Sequence, residues 1–343
     1  MRNGSDTSYV QGFNTLQQHD IPYARFSLTG YWPSDSTLYN TNKPEFYRRL
    51  DSFVDEAAKH HVGLIPSFFW DTFMVPDVVG EPVNSWGNSD SRTRQFMRSL
   101  TAEVVERYKD SPAIWGWEFG NEFNLSSDLP NAADFRPPIQ PTLGTPTFRS
   151  ASDDLRGDMI HSALVDFATV VRQHDPGHLI SSGNSLMRPS AWHQYTGLSW
   201  ATDTPEQSAA MYSLFNPDPM NLVSGHAYDT TGWSPLLQHA AAQGKAAFFG
   251  EFGILGDDDA AKIAFHNMLQ QLVDNKVSLA AVWNFDRQQA GDPWSISSAP
   301  NGPRSWQLDE IQWFNQVVPE PSTFVLGALG VLALLMIGRR RFR

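Results

Sequence analysis

The sequence predicts an α/β fold of the (β/α)8 barrel class. Three observations lead there. Short apolar, β-prone runs alternate with amphipathic helical stretches, the pattern of a parallel sheet whose crossovers are helices. Several of those runs deliver carboxylate, amide or imidazole side chains just past their C-terminal ends, where parallel barrels carry their sites. No linker divides residues 1–317, so this stretch reads as one domain, with residues 318–343 set apart as a tail.

Taken in order, residues 1–6 are polar and show no apolar core of a signal peptide. Thr7–His19 reads as a helix with Val10, Phe13 and Leu16 on one face. Ile21–Leu28 is a strand carrying Arg25, and Tyr31, Trp32 and Pro33 follow in a loop. Asn42 and Pro44 open a helix with Tyr47, Leu50, Val54 and Ala57 inward. Val62–Phe69 is a strand leading into Trp70; a Pro/Gly-rich loop and a helix over Ser91–Lys109 come next. Ile114, Trp115, Trp117 and Phe119 are bulky and β-prone, so the third strand lies here, and it ends in Gly120-Asn121-Glu122. Residues 126–152 form a long Pro/Thr/Ser-rich loop of the kind that is usually functional.

Asp153–His174 is a helix stopped by Asp175-Pro176-Gly177, and Leu179–Gly183 is a strand ending near Asn184. A loop over 186–203 holds Trp192 and Trp200. Pro205–Phe215 is helical, and Leu222–His226 is a strand delivering His226 and Tyr228. Pro235–Gln243 is a helix, and Ala246–Gly250 is a strand that ends in Glu251. Asp257–Asn275 is a helix with acidic residues at its positive end. Leu279–Phe285 is a strand bearing Trp283, and a last helix spans Leu308–Val317. Seven strands are visible.

Composition narrows the function. The 343 residues carry a net charge of −12, which would repel nucleic acid. The absence of cysteine removes disulfides and thiolate metal sites. Aromatic residues make up 13%, with 12 Trp, which serve either as core filling or as stacking platforms for sugar rings. No metal-ligand spacing, phosphate loop or Ser-His-Asp arrangement is visible, so neither cofactor nor metal is expected.

The chemistry points to a pair of carboxylates, Glu122 and Glu251, each just after a buried apolar strand and therefore on one face of a barrel. A retaining glycosidase needs two carboxyls about 5 Å apart, one to attack the anomeric carbon and one to protonate the leaving oxygen. The stretch Ile114–Leu125 resembles the Asn-Glu strand of retaining glycoside hydrolases of clan A, most closely family 5, the cellulase and β-mannanase family. The resemblance covers about residues 7–317 and implies a TIM barrel in which Glu122 is the acid/base, Glu251 the nucleophile, and Asn121 the partner of the sugar 2-hydroxyl. It further implies that Arg25 bonds the nucleophile and keeps it ionised. By the same resemblance His226 positions the acid/base, Tyr228 donates to the nucleophile, and Trp283 stacks on the sugar next to the cleaved bond. Trp70 stands where many members carry a His, which leaves the preferred sugar open. Trp32, Trp70 and Trp283, with loop 126–152, are expected to line an aromatic cleft. Asp71, Asn184 and Asp286 are lesser candidates for hydroxyl contacts. Glu118 is read as a core carboxylate bonded to neighbouring strands and, by strand alternation, facing away from Asn121.

The expected partner is a β-1,4-linked polysaccharide, mannan or glucan. Alternatives are a β-glycosidase on short oligosaccharides and a catalytically silent carbohydrate-binding surface protein. The last is disfavoured because Glu122, Glu251, Arg25, His226 and Tyr228 are all present. The tail adds a location. Val318–Ser322 reads VPEPS, Phe324–Gly338 is an unbroken apolar run shorter than the roughly 20 residues of a spanning helix, and Arg339–Arg343 is basic. This order resembles the PEP-CTERM signal, which implies processing by an exosortase and export to the surface or exterior of a Gram-negative bacterium. Membrane contact is expected through the C-terminal helix alone. Counted in the family's order, the Arg25 strand is the second, so the barrel lacks its first strand. The expectation is a true start upstream of Met1 that supplies both that strand and a signal peptide.

Overall fold

The computed structural model describes residues 6–286 and 292–317. Among the described residues seven strands run parallel in chain order: β1 (Tyr23–Ser27), β2 (Gly63–Phe69), β3 (Gly116–Gly120), β4 (Leu179–Ser181), β5 (Leu222–Ala227), β6 (Ala246–Phe252) and β7 (Leu279–Val282). Their backbone ladders join them in two pieces, β1-β2-β3-β4 and β5-β6-β7. Side chains bridge the break between β4 and β5. The Ile180 N–H donates to Asn221 Oδ1 at 2.7 Å, and Ser224 Oγ donates to the Asn184 carbonyl at 2.9 Å. Asn216 Oδ1 accepts from both Ser182 Oγ and the Ser224 N–H.

Helices separate the strands, as in an α/β barrel: α1 (Ser8–Gln18), α2 (Thr37–Thr41), α3 (Lys43–Lys59), α4 (Met74–Val79), α5 (Arg92–Tyr108) and α6 (Gly157–His174). The second half adds α7 (Ala191–Gly197), α8 (Pro205–Phe215), α9 (Trp233–Gln243), α10 (Asp259–Asp274) and α11 (Trp306–Val317). Their starts follow the capping signals in the sequence. Asn42 accepts from the Glu45 N–H ahead of α3, Ser91 from Arg94 ahead of α5, and Asp258 from Ala261 ahead of α10. Thr204 and Gln207 exchange hydrogen bonds as a capping box on α8. Along α3, Phe46, Leu50, Val54 and Ala57 recur at helical spacing and are buried.

The core is aromatic. β2 is buried along its whole length, and Phe68, Phe69, Trp86, Phe119 and Phe167 pack edge to face around it. Trp86 and Trp117 are fully buried, so part of the Trp content is core filling. Trp117 needs a partner for its N–H and donates to Asp175 at 2.7 Å.

The structure departs from the sequence reading in places. Val10 is 39% exposed, while α1 buries Phe13 and Leu16 of the expected face together with Thr15. Stretches read as loops contain the short helices α4 and α7, and α2 falls between the Tyr31–Pro33 loop and the helix opened by Asn42. The 126–152 loop holds two short 3-10 turns, Ala132–Phe135 and Pro141–Leu143, and is pinned by the buried Arg149–Asp77 pair at 2.7 Å. β7 stops at Val282, before Trp283. Among the described residues the outer edges of β1 and β7 have no strand partner. Both edges line one cavity of about 1570 Å³, together with residues of α1, Trp70 and Trp283. No helix among the described residues is long and apolar enough to cross a membrane, and the apolar run expected at Phe324–Gly338 lies outside them.

Candidate active site

Arg25 points from β1 into the barrel, where its side chain is 3% exposed. A guanidinium so placed must find acceptors for its donors. Its Nε donates to Glu118 Oε1 at 2.6 Å, Nη1 to Glu251 Oε1 at 2.7 Å, and Nη2 to Asn121 Oδ1 at 2.8 Å. Burial works against its charge, and the two carboxylates more than offset that, so Arg25 is held firmly as a cation.

Glu122 sits just past β3 with φ +54°, a left-handed conformation unusual for a residue with a side chain. Its N–H donates to the Gly183 carbonyl at 2.9 Å, which ties the turn to the end of β4. The fit is tight: at Gly183, itself at φ +69°, a Cβ would lie 1.8 Å from the Gly120 carbonyl oxygen. Strain of this kind is characteristic of functional turns.

His226 arrives from β5, next to a register shift between Gly225 and His226. Its Nδ1 lies 3.0 Å from Glu122 Oε1 and 3.7 Å from Glu251 Oε2. Nε2 is buried without a partner, and a Cβ at Gly250 would meet it at 2.8 Å. The geometry therefore puts the ring proton on Nδ1, facing the carboxylates. The Tyr228 hydroxyl donates to Glu251 Oε2. One oxygen from Glu122, one from Glu251 and a His226 nitrogen lie within 4.8 Å of one another.

The two carboxyls differ in surroundings. The Glu251 side chain is 6% exposed and accepts from Arg25 and Tyr228, whereas that of Glu122 is 29% exposed. Burial pushes Glu122 up, but the hydrogen bond and pull of His226, with the charge of Arg25, hold its carboxyl below the ordinary range. Burial, reinforced by Glu122, pushes Asp71 up to about 6. Burial and the Glu251 charge raise the Tyr228 phenol, which stays protonated as a donor. Glu122, Glu251 and His226 are also the group among the described residues close enough to share a metal ion.

Six residues singled out in the sequence thus meet in one place: Arg25 bonds Asn121 and Glu251, Tyr228 bonds Glu251, and His226 bonds Glu122 while its Nδ1 lies 3.7 Å from Glu251. Others are placed differently. Glu118 and Asn121 reach the same guanidinium, against the expectation that they face opposite ways; β3 ends at Gly120, and strand alternation no longer governs Asn121. Asn184 is not free for hydroxyls: it is fully buried, accepts from the Asn124 N–H and donates to the Phe215 carbonyl. Asp286 accepts from Ser298. Trp70 is 7% exposed, with Arg25 Cζ 4.8 Å from its ring centre and Trp283 stacked at 5.6 Å, and both Trp rings line the cavity beside β1 and β7. Trp32 packs on Phe73 at 5.9 Å. Trp294, absent from the sequence reading, packs on Tyr228 at 4.8 Å; no motif in its loop marks it.

The family model described as "Cellulase (glycosyl hydrolase family 5)" matches residues 11–289. The chain belongs to glycosyl hydrolase family 5. A second model, the PEP-CTERM protein-sorting motif, matches residues 317–341. This family 5 chain is 28% identical over 268 residues to a probable mannan endo-1,4-beta-mannosidase F of Aspergillus flavus, covering 72% of the chain and 50% of the relative. It is 22% identical to mannan endo-1,4-beta-mannosidase F of Aspergillus clavatus, covering 92% and 72%. The chain spans about half the length of the Aspergillus flavus and Aspergillus oryzae relatives. Among solved structures, the endo-1,4-beta-mannanase of Rhizomucor miehei superposes with a TM-score of 0.64 at 18% identity, covering 91% of this chain and 92% of that one. An endoglucanase of Pseudomonas stutzeri gives 0.56 at 17% identity, covering 88% and 85%. At these identities the structural likeness shows the barrel fold.

Proposed function

We propose that this family 5 barrel is a retaining glycoside hydrolase that cleaves β-1,4-linked polysaccharide, with mannan as the preferred backbone. The observation that carries the reading is the close opposition of Glu122 and Glu251, with Arg25 and Tyr228 on one and His226 on the other. A gap of this size suits direct attack by a carboxylate; an inverting enzyme separates its carboxyls further, by about 6.5–9.5 Å, to admit a water between them.

In the first step a Glu251 oxygen attacks the anomeric carbon while Glu122 gives its proton to the departing glycosidic oxygen. The bond to the leaving sugar breaks and a glycosyl ester forms on Glu251. In the second step Glu122 takes a proton from water, whose oxygen displaces Glu251 and restores the starting configuration. Arg25 and Tyr228 hold the nucleophile in a fixed pose and accept its changing charge. The half-exposed position of Glu122 suits contact with a leaving group and then with water. The mannan preference is supported by the names of the Aspergillus relatives. The matched sorting motif supports export, with exosortase processing of the C-terminus and a transient membrane anchor there.

The test is hydrolysis of a panel of β-mannans and β-glucans, with the anomer of the first product read by NMR. Cleavage of mannan with the β-anomer appearing first is the expected result. Preference for glucan would move the substrate assignment; a first product of inverted configuration would overturn the mechanism.

A further inference from the structure

We infer that Glu118 is a positioning residue for this hydrolysis: its carboxylate fixes the Arg25 guanidinium and takes a share of its charge, so that Arg25 presents Nη1 to Glu251 and Nη2 to Asn121. The inference rests on the retaining reading above but not on the choice of sugar.

Glu118 is 0% exposed at the centre of β3. A buried carboxylate is costly, and an apolar side chain of similar size would serve the core better. Its two oxygens are both engaged. Oε1 accepts from Arg25 Nε at 2.6 Å, and Oε2 accepts from Ser181 Oγ at 3.1 Å. Ser181 stands directly across the ladder on β4, so the carboxylate is tethered from one neighbouring strand while it holds a residue two strands away on β1. The space is closed above it, where a Cβ at Gly183 would lie 2.8 Å from the Glu118 carboxyl carbon.

Geometry links this tether to the nucleophile. The guanidinium is planar and rigid, so fixing Nε fixes the directions of both other nitrogens. With Nε taken by Glu118, Glu251 receives one N–H from Arg25. Without that tether, the guanidinium is free to turn and grip Glu251 with two. A carboxylate gripped by a further charged donor, beyond Tyr228 and the one N–H, is a weaker nucleophile and a better leaving group. The charged and titratable groups facing this centre are Tyr23 and Arg25 from β1, Glu251 from β6, and His226 with Tyr228 from β5 and the turn after it. Glu122 after β3 and Asp71 after β2 complete the set.

Glu118→Gln is the decisive variant. Its amide oxygen still accepts from Arg25 Nε, and its NH2 can donate to Ser181 Oγ, so shape and bonding persist while the charge is lost. Wild type and variant are compared on an aryl glycoside with a good leaving group, with formation and breakdown of the glycosyl ester timed separately. Formation is expected to slow on the order of 10-fold, because Arg25 no longer shares its charge with Glu118 and draws more strongly on Glu251. Breakdown is expected not to slow, because Arg25 now stabilises the departing carboxylate better. Equal slowing of both steps, or no change in either, overturns the inference. Should Glu118→Gln not fold, Ser181→Ala removes the tether alone and is expected to slow formation several-fold; an unchanged rate overturns the inference. A wild type that forms no glycosyl ester would sink the functional reading instead.

Discussion

Arg25 Nη1 lies 2.7 Å from Glu251 Oε1, with both side chains almost wholly out of water. Neither charge is at home there alone. The cation is shared with a second carboxylate, Glu118, and the anion with a second donor, Tyr228. Removal of one partner therefore strands another.

Arg25→Ala should lower stability by about 3–5 kcal/mol, the cost of leaving buried charge unpaired. Urea unfolding followed by tryptophan fluorescence measures it. A loss under 1 kcal/mol would mean that water enters and solvates the two carboxylates.

Glu251→Ala should be almost inactive, since no ester can form. Glu122→Ala should keep activity on aryl glycosides with good leaving groups, which need no proton, and added azide should raise its rate. The azide product of Glu122→Ala should retain configuration. An inverted product from that variant would exchange the two roles.

The pH profile should respond to His226. In the wild type His226 and Arg25 hold the Glu122 carboxyl down against its burial, so the protonated acid is lost at comparatively low pH. With His226→Ala the burial penalty remains and the main opposing interaction is gone. The basic limb of kcat/KM should then shift to higher pH, read on a substrate that needs acid assistance. A limb that stays put would show that another group sets it.

Asp128, which bonds none of the residues around the carboxylate pair, offers a stability test. Burial raises its carboxyl to about 6, although it accepts from the Gly157 N–H at 2.9 Å. A folded value above the unfolded one means that stability is full below about pH 4 and is lost as pH rises through about 6. Asp128→Asn keeps an acceptor for Gly157 and carries no charge. It should be more stable than wild type above pH 7 by about 1–3 kcal/mol, with no advantage below pH 4. Thermal melts at both ends of that range decide it.

Much of this was legible in the sequence because strands and their last residues are local features. IWGWEFGNE and AAFFGE each state a buried run and what it delivers, and the barrel brings the two ends together. Arg25 was readable as buried because it interrupts an apolar strand. What the sequence hid was which acceptors it would find. That Glu118 and Asn121 meet on one guanidinium depends on the sharp turn after Gly120, whose geometry overrides the strand period. Asn184 looks available because its position after a strand is typical of a site; only its two backbone partners, Asn124 after β3 and Phe215 at the end of α8, show it is spent on structure. Trp70 stands at a strand end as a sugar platform would, yet its surroundings are Arg25, Tyr31 and Trp283, a packing that no local pattern encodes.

Mechanically, the barrel is two stiff arcs, β1 to β4 and β5 to β7, whose backbone ladders do not meet. Arg25 and Glu122 belong to the first arc, and Glu251 and His226 to the second. The bonds that assemble the catalytic pair are therefore also struts between the arcs. Any flexing of one arc against the other changes the gap between the carboxyls directly, with no intermediary. A sugar esterified to Glu251 and still touching Glu122 would act as a third strut, so the ester form should be stiffer than the free enzyme, with slower amide exchange along β4 and β5.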